Sequence, residues 1–217
     1  MIDMDYVTQQ FSKAEITNDE NGLIPAFGVY LTKIQGDYYA EISFEFEKMF
    51  GDLMQNDPEV IEAARQLLIE AGHVCGFNTF GGIMKSDEFE AVVVPLIEER
   101  EDWVRGMVAV INVLGWGVYK IIEVSEEKLI IEIKNSYEGD AYLRRYGTHA
   151  ESPKCYLALG ASIALMSLVF HADISQKPEL DDILYDRLFK EARKYDGKET
   201  QCIAMGHEFC RIEISKL

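Results

Sequence analysis

Residues 198–214 read KETQCIAMGHEFCRIEI. Two of the chain's four cysteines, Cys202 and Cys210, lie here eight positions apart, with Gly206 and His207 between them. The pattern predicts two strands closing around a Gly-His turn. If Cys202 and Cys210 end opposite strands, their sulfurs can converge, and Glu199 sits on the strand leading in. Thiolates completed by imidazole or carboxylate are the donors zinc favours. The stretch offers Glu199, Cys202, His207 and Cys210, and a further ligand must come from elsewhere, with Cys155 and Cys75 as candidates. Spacing alone does not decide the matter. C-x7-C is not a standard zinc-finger knuckle, buried cysteines commonly pack as small hydrophobes, and His207 reads equally as a solvated loop residue.

Working outward, the elements fall into segregated runs. YYAEISFEF (38–46) alternates and predicts a strand with Ala40, Ile42, Phe44 and Phe46 on one face. Asn56-Asp57-Pro58 predicts a helix start, an Asp cap followed by Pro at the first helical position. Glycines 72, 76, 81 and 82 along that helix allow close backbone packing or a bend. Ser86-Asp87 opens a second helical pattern to about Leu114, which Pro95 should kink or break. Residues 116–134 predict a hairpin around the polar SEEK, and GDAYLRRYG a short helix. A long apolar helix is expected over 153–171 and a charged amphipathic one over 178–195. The order points to an α+β fold, an antiparallel sheet with helices packed on it. We expect an N-terminal strand-containing extension over 1–50 and one domain over 51–217.

The 217 residues carry a formal net charge of -17, and 48% are hydrophobic. That content suits a packed core. The charge disfavours direct binding to nucleic acid or anionic membranes. The opening MIDMDYVTQQ lacks the basic and apolar regions of a leader, and no run approaches the ~18 apolar residues of a spanning helix. A cytoplasmic protein with reduced thiols is the expectation. No phosphate loop, dinucleotide fingerprint, nucleophile elbow or H-E-x-x-H pattern occurs.

Glu199-x-x-Cys202-x7-Cys210 resembles the closing signature of the 4-vinyl-reductase domain family. SPKCYLALGASIA (152–164) is similar to that family's cysteine-containing helix, with Gly160 five residues after Cys155. NSYEGDAYLRRYG (135–147) is similar to the segment before it, and the resemblance covers roughly residues 60–217. The family includes proteins linked to bacteriochlorophyll vinyl-group reduction and the sensor domains of phenol-detecting activators. Its fold is similar to a subunit of vesicle-tethering complexes. The resemblance implies a zinc held by Cys155, Glu199, Cys202 and Cys210, closed and structural, and no catalytic residues. The phenol sensors grip the hydroxyl with a Trp and a His, and Lys134 and Asp102 fall at those positions here. Phenol itself is therefore not carried over. The link from the Cys155 helix to Glu199 is also longer than in those sensors.

These observations lead us to expect a zinc-stabilised domain that binds or senses a small hydrophobic molecule without catalysis. Its cavity should lie between the helices and the 116–134 hairpin. Trp103, Trp116, Lys134 and Asp102 are the candidate ligand-binding residues. Trp116, between two glycines, reads equally as a core residue entering a strand. His73 and Cys75 read more simply as packing residues. The alternatives are a reductase of a tetrapyrrole-like vinyl group, for which nothing in the chain supplies a hydride donor, and a dimeric scaffold. A homodimer is expected, with the apolar segment LIPAFGVYL (23–31) and the 40–46 strand as contributors.

Overall fold

A helix with every side chain buried occupies the middle of the molecule: α7, Tyr156–Met166. The computed structural model describes residues 1–33, 35–55 and 57–217. One side of α7 faces a four-stranded antiparallel sheet of order β3-β4-β6-β5, formed by β3 (Val118–Val124), β4 (Lys128–Lys134), β5 (Tyr195–Gln201) and β6 (Cys210–Lys216). The other faces α3 (Pro58–Met84). The protein is thus α+β, with α7 as a filling between a helix layer and a sheet. A helix apolar all round belongs in such a place.

Small residues set the distance between α3 and α7. A Cβ on Gly160 would lie 2.0 Å from the Ile69 carbonyl oxygen, and one on Gly72 would lie 2.7 Å from that of Leu157. Gly76 meets Ala161 and Ala164 in the same way. The glycines of 72–82 therefore serve close packing, and α3 runs unbroken for 27 residues. Asp57 caps α3 by accepting from the Glu59 N–H, with Pro58 at its first turn; Asn56 lies outside the described residues.

In the sheet, Leu129, Ile131 and Ile133 of β4 point inward as their alternation predicts. β6 pairs with β4 through Ile131↔Ile212 and Ile133↔Cys210, and with β5 through Glu199↔Ile212. A register shift between Glu199 and Gln201 follows. The second helical pattern is broken around Pro95 into α4 (Asp87–Val92), a short 3-10 turn and α5 (Glu101–Leu114). Ser86 caps α4 through the Phe89 N–H. α5 packs on β3 and on the N-terminal helix α1 (Met4–Phe11), whose Val7 and Phe11 are buried in the main core.

The predicted strand over 40–46 is instead part of a helix, α2 (Tyr38–Leu53). Ala40, Ser43, Phe44 and Gly51 are its buried positions. Period 2 and period 3.6 coincide at i and i+4, so Ala40 and Phe44 satisfy both patterns, while Ile42 turns out to solvent. Among the described residues of the first 50, strand is confined to the small hairpin β1 (Ile24–Ala26) and β2 (Val29–Leu31). The helix expected from 153 begins three residues later, and its last turn, Ser167–His171, is π-helical. The helix expected over 178–195 shrinks to α8 (Asp182–Asp186) with a π-helical turn to Glu191. Asp181 is its true cap, accepting from the Leu184 N–H at 2.8 Å, and β5 takes over at Tyr195. The helix expected in GDAYLRRYG is α6 (Tyr137–Tyr146), capped by Ser136.

Gly160→Ala should destabilise the fold by about 1–3 kcal/mol, since backbone faces the added methyl and cannot swing aside. Gly36→Ala, where nothing lies within 4 Å, should change little. Chemical denaturation of the two variants checks the pair, and equal midpoints would refute the close crossing.

Candidate metal centre

The start of α7 lies inside the protein, and its unpaired backbone N–H groups need acceptors there. Cys155, at the cap position, makes no side-chain cap bond. Two glutamates brought from elsewhere do the capping. Glu138, from the first turn of α6, accepts from the Leu157 N–H at 3.0 Å and the Ala158 N–H at 2.9 Å. Glu199, on β5, accepts from the Cys155 N–H at 2.9 Å through Oε2. Its other oxygen, Oε1, is buried without a partner.

Around that free oxygen stand three thiols. Cys155 Sγ lies 3.3 Å from Cys210 Sγ, which lies 3.9 Å from Cys202 Sγ. One donor atom from each of Cys155, Glu199, Cys202 and Cys210 falls within 4.8 Å of every other, and the three sulfurs are buried. Zn–S bonds near 2.3 Å at tetrahedral angles would place sulfurs about 3.8 Å apart. The spacing and the orphaned carboxylate oxygen therefore fit a metal ion, and this cluster could hold one. The Ile203 N–H donates to Cys210 Sγ at 3.3 Å, and Ser136 Oγ lies 3.2 Å from Cys155 Sγ. Such outer contacts orient thiolate ligands. Gly139 lets α6 approach, since a Cβ there would lie 3.1 Å from Cys210 Sγ.

Charge explains why a cation suits the spot. Burial pushes the Cys155 thiol and the Glu199 carboxyl well above their usual ranges, and a charge on Cys202 raises Glu199 further. The Cys202 thiol goes the other way, held down by hydrogen bonds from Cys155 and Cys210. Burial likewise raises the Glu138 carboxyl to about 8 against the pull of its backbone N–H partners. Left to itself, the cluster keeps most of its protons because the charged forms lack water. A divalent cation removes that penalty and lets all four donors ionise.

Of the cysteine and histidine alternatives, Cys75 lies partly exposed beside Thr79 on α3, and His207 Nδ1 accepts from the Cys202 N–H at 3.2 Å. His73 stacks on Phe189. Among the residues expected around a ligand, Trp116 packs between Phe80 and Tyr137, and Trp103 stacks on Phe89. Lys134 is exposed at the end of β4 and pairs with Glu208. Asp102 is fully buried, bonded to Arg105 and to the backbone N–H groups of Ile2, Glu98 and Glu99, which locks the N-terminus to the start of α5. Glu138 and Ser136 escape sequence reading as parts of the site. Ser136-x-x-Gly139 signals only a helix start, and Glu138 resembles any first-turn acid.

No family model matches the sequence, and no curated protein shows significant similarity to it. Solved structures do. The phenol-responsive sensory domain of the transcription activator PoxR, determined with phenol, aligns with a TM-score of 0.64 at 15% identity, over 100% of this chain and 91% of that one. A trafficking protein particle complex subunit 3 from Naegleria fowleri, covalently bound to palmitic acid, aligns with a TM-score of 0.50 at 10% identity, over 84% of this chain and 97% of that one. At these identities the likeness speaks for the fold: this chain is built like that sensory domain.

Proposed function

We propose that this protein is a zinc-stabilised sensing domain for a small hydrophobic molecule, of the 4-vinyl-reductase kind, and that its metal is structural. The observation that carries the reading is the convergence of Cys155, Glu199, Cys202 and Cys210 in the interior of a fold shared with a phenol-responsive sensory domain. Three thiolates and a carboxylate saturate a tetrahedral ion and leave no open position for substrate. The ion ties the start of α7 to the β5–β6 hairpin. Trp116 is the apolar wall we assign to the ligand; Trp103 lies at the other end of α5, against Phe89. Lys134, exposed at the end of β4, is the polar handle we assign, whereas Asp102 is spent on Arg105 and the N-terminal backbone. The protein acts in the cytoplasm, and its domain proper spans 51–217.

The ligand signal requires a surface that reads it out, and we assign that role to a homodimer. α2 turns Tyr39, Ile42, Met49 and Leu53 outward, each about half exposed or more. An apolar stripe of this kind on a chain of net charge -17 is suited to a second copy, in a two-fold contact burying roughly 1,200 Å² or more.

Purified without chelator, the protein should carry one zinc per chain, and a content well below one refutes the assignment. Cys202→Ser should lose metal and several kcal/mol of stability together, while Cys75→Ser keeps both. Metal affinity should fall steeply from pH 7 to pH 5, because protonating the thiolates and Glu199 competes with the ion. A flat affinity across that range argues against thiolate ligands.

The chain has two tryptophans, so binding of a hydrophobic ligand against the proposed wall should change intrinsic fluorescence. Trp116→Phe should remove most of that change while Trp103→Phe keeps it; a full change surviving in Trp116→Phe would displace the site.

Light scattering at low micromolar concentration should give the dimer mass, and Ile42→Asp with Met49→Asp the monomer mass. A monomeric parent protein, or a charged variant that stays dimeric, sinks the α2 interface.

A further inference from the structure

A second site lies outside the metal cluster and away from the tryptophans. A cleft of about 250 Å³ opens between α2, α3 and α6. Its aromatic lining is Phe44, Tyr142 and Tyr146, whose rings pack on one another with centroids 4.7–6.2 Å apart. Its charged lining is Glu47, Lys48, Asp52, Arg65 and Lys154, three cations against two carboxylates. Lys48 and Asp52 pair with each other and are more than half exposed. The deeper charges are unevenly shared. Lys154 Nζ and Arg65 Nε share the single carboxylate of Glu47, at 2.6 Å and 2.9 Å. Glu62 reaches Arg65 only from solvent, at 3.7 Å.

The Lys154 side chain is 9% exposed, and that of Glu47 11%. An ammonium has three hydrogens to donate. Those of Lys154 find the Glu47 carboxylate and, at 3.4 Å, the Tyr156 hydroxyl. The Tyr156 hydroxyl itself donates to Glu47 at 2.8 Å. The Lys154 ammonium also lies 5.6 Å from the centre of the Tyr142 ring. Glu47 is thus fully engaged by two cations and a hydroxyl, while the second carboxylate, Glu62, is more than half exposed and reaches only the outer edge of Arg65. Two cations sharing one partly buried carboxylate are incompletely neutralised at that depth, and an anion entering the cleft would add the missing partner. In a chain of net charge -17, paired cations at the base of an aromatic cleft make it a suitable landing point for an anion.

We propose that this cleft binds a small planar aromatic carboxylate, with its carboxylate on Lys154 and Arg65 and its ring against Phe44, Tyr142 and Tyr146. The volume admits one ring with its acid group and excludes long chains and polyanions. The ring wall separates this ligand class from acetate or phosphate, and the charge at the base separates it from phenols and amides. The site is distinct from that of the proposed hydrophobic ligand, and it adjoins the metal cluster through Lys154, which precedes Cys155.

The test is calorimetric and NMR titration of the full, metal-replete chain with benzoate, benzamide, acetate and inorganic phosphate. Benzoate should bind at least about tenfold more tightly than the other three, the weight of one hydrogen bond to a charged group. Lys154→Met should lose benzoate binding. Because that change also breaks a buried pair, two more variants carry the test if it unfolds. Tyr146→Ala should weaken benzoate and leave acetate unchanged. Glu47→Gln, which removes the internal competitor, should tighten benzoate; a merely structural ion triad predicts no gain. Equal binding of benzamide overturns the proposal, as does benzoate binding that survives in folded Lys154→Met. No benzoate binding at millimolar concentration overturns it as well.

Discussion

The constraint on which this structure depends is the buried start of α7. A helix enclosed between a sheet and a second helix gains apolar contact along its whole length, but its first N–H groups can reach no water. SPKCY supplies no side-chain cap of its own, since Cys155 holds the cap position. The fold imports Glu138 from α6 and Glu199 from β5 instead. The helix dipole favours both carboxylates, yet they enter a space that three thiols already occupy. Capping the helix thereby gathers acidic groups that burial keeps largely protonated and that together could hold a cation. The candidate metal site and the central helix are two views of one electrostatic problem.

Much of this was legible in the sequence because it depends on local chemistry. The 116–134 hairpin and the Asp57-Pro58 start rest on residues close in sequence, while the Cys155, Glu199, Cys202 and Cys210 set was implied by the family resemblance and not by spacing alone. What failed rests on distant partners. YYAEISFEF alternates well enough for a strand, and only α3 and α6, against which Ala40 and Phe44 pack, make it a helix. The helix expected from Pro178 begins at Asp182, because Lys177 takes a positive φ of 50° and Asp181 caps the helix. Glu138 shows the limit most sharply. Nothing near it in sequence reveals that it will be fully buried against the start of another helix.

The same tension runs through the rest of the chain's charge. Acidic residues exceed basic ones by 38 to 21, so each buried cation is well placed to bind some carboxylate nearby. Arg105 holds Asp102 and Glu99, Arg211 holds Glu132, and Arg144 and Arg145 reach Asp37 and Glu45 on or beside α2. These last two pairs and the Glu47 triad attach α2 to the body largely through charge, and its small apolar cluster of Ala40, Phe44 and Ala141 is separate from the main core. Exposed pairs contribute little individually. α2 is therefore held by fewer apolar contacts with the main core than α3, α7 and the sheet.

Residue 154 is where the two halves of the molecule meet. Its side chain lies at the base of the α2 cleft beside Glu47. The next residue, Cys155, belongs to the metal cluster. One peptide bond thus joins a side chain held by α2 to a donor of the candidate metal cluster. A displacement of α2 acts through Glu47 on Lys154, and Cys155 follows directly in the chain, so the cleft and the cluster are one covalent step apart. That short connection is what the proposed sensing role would use.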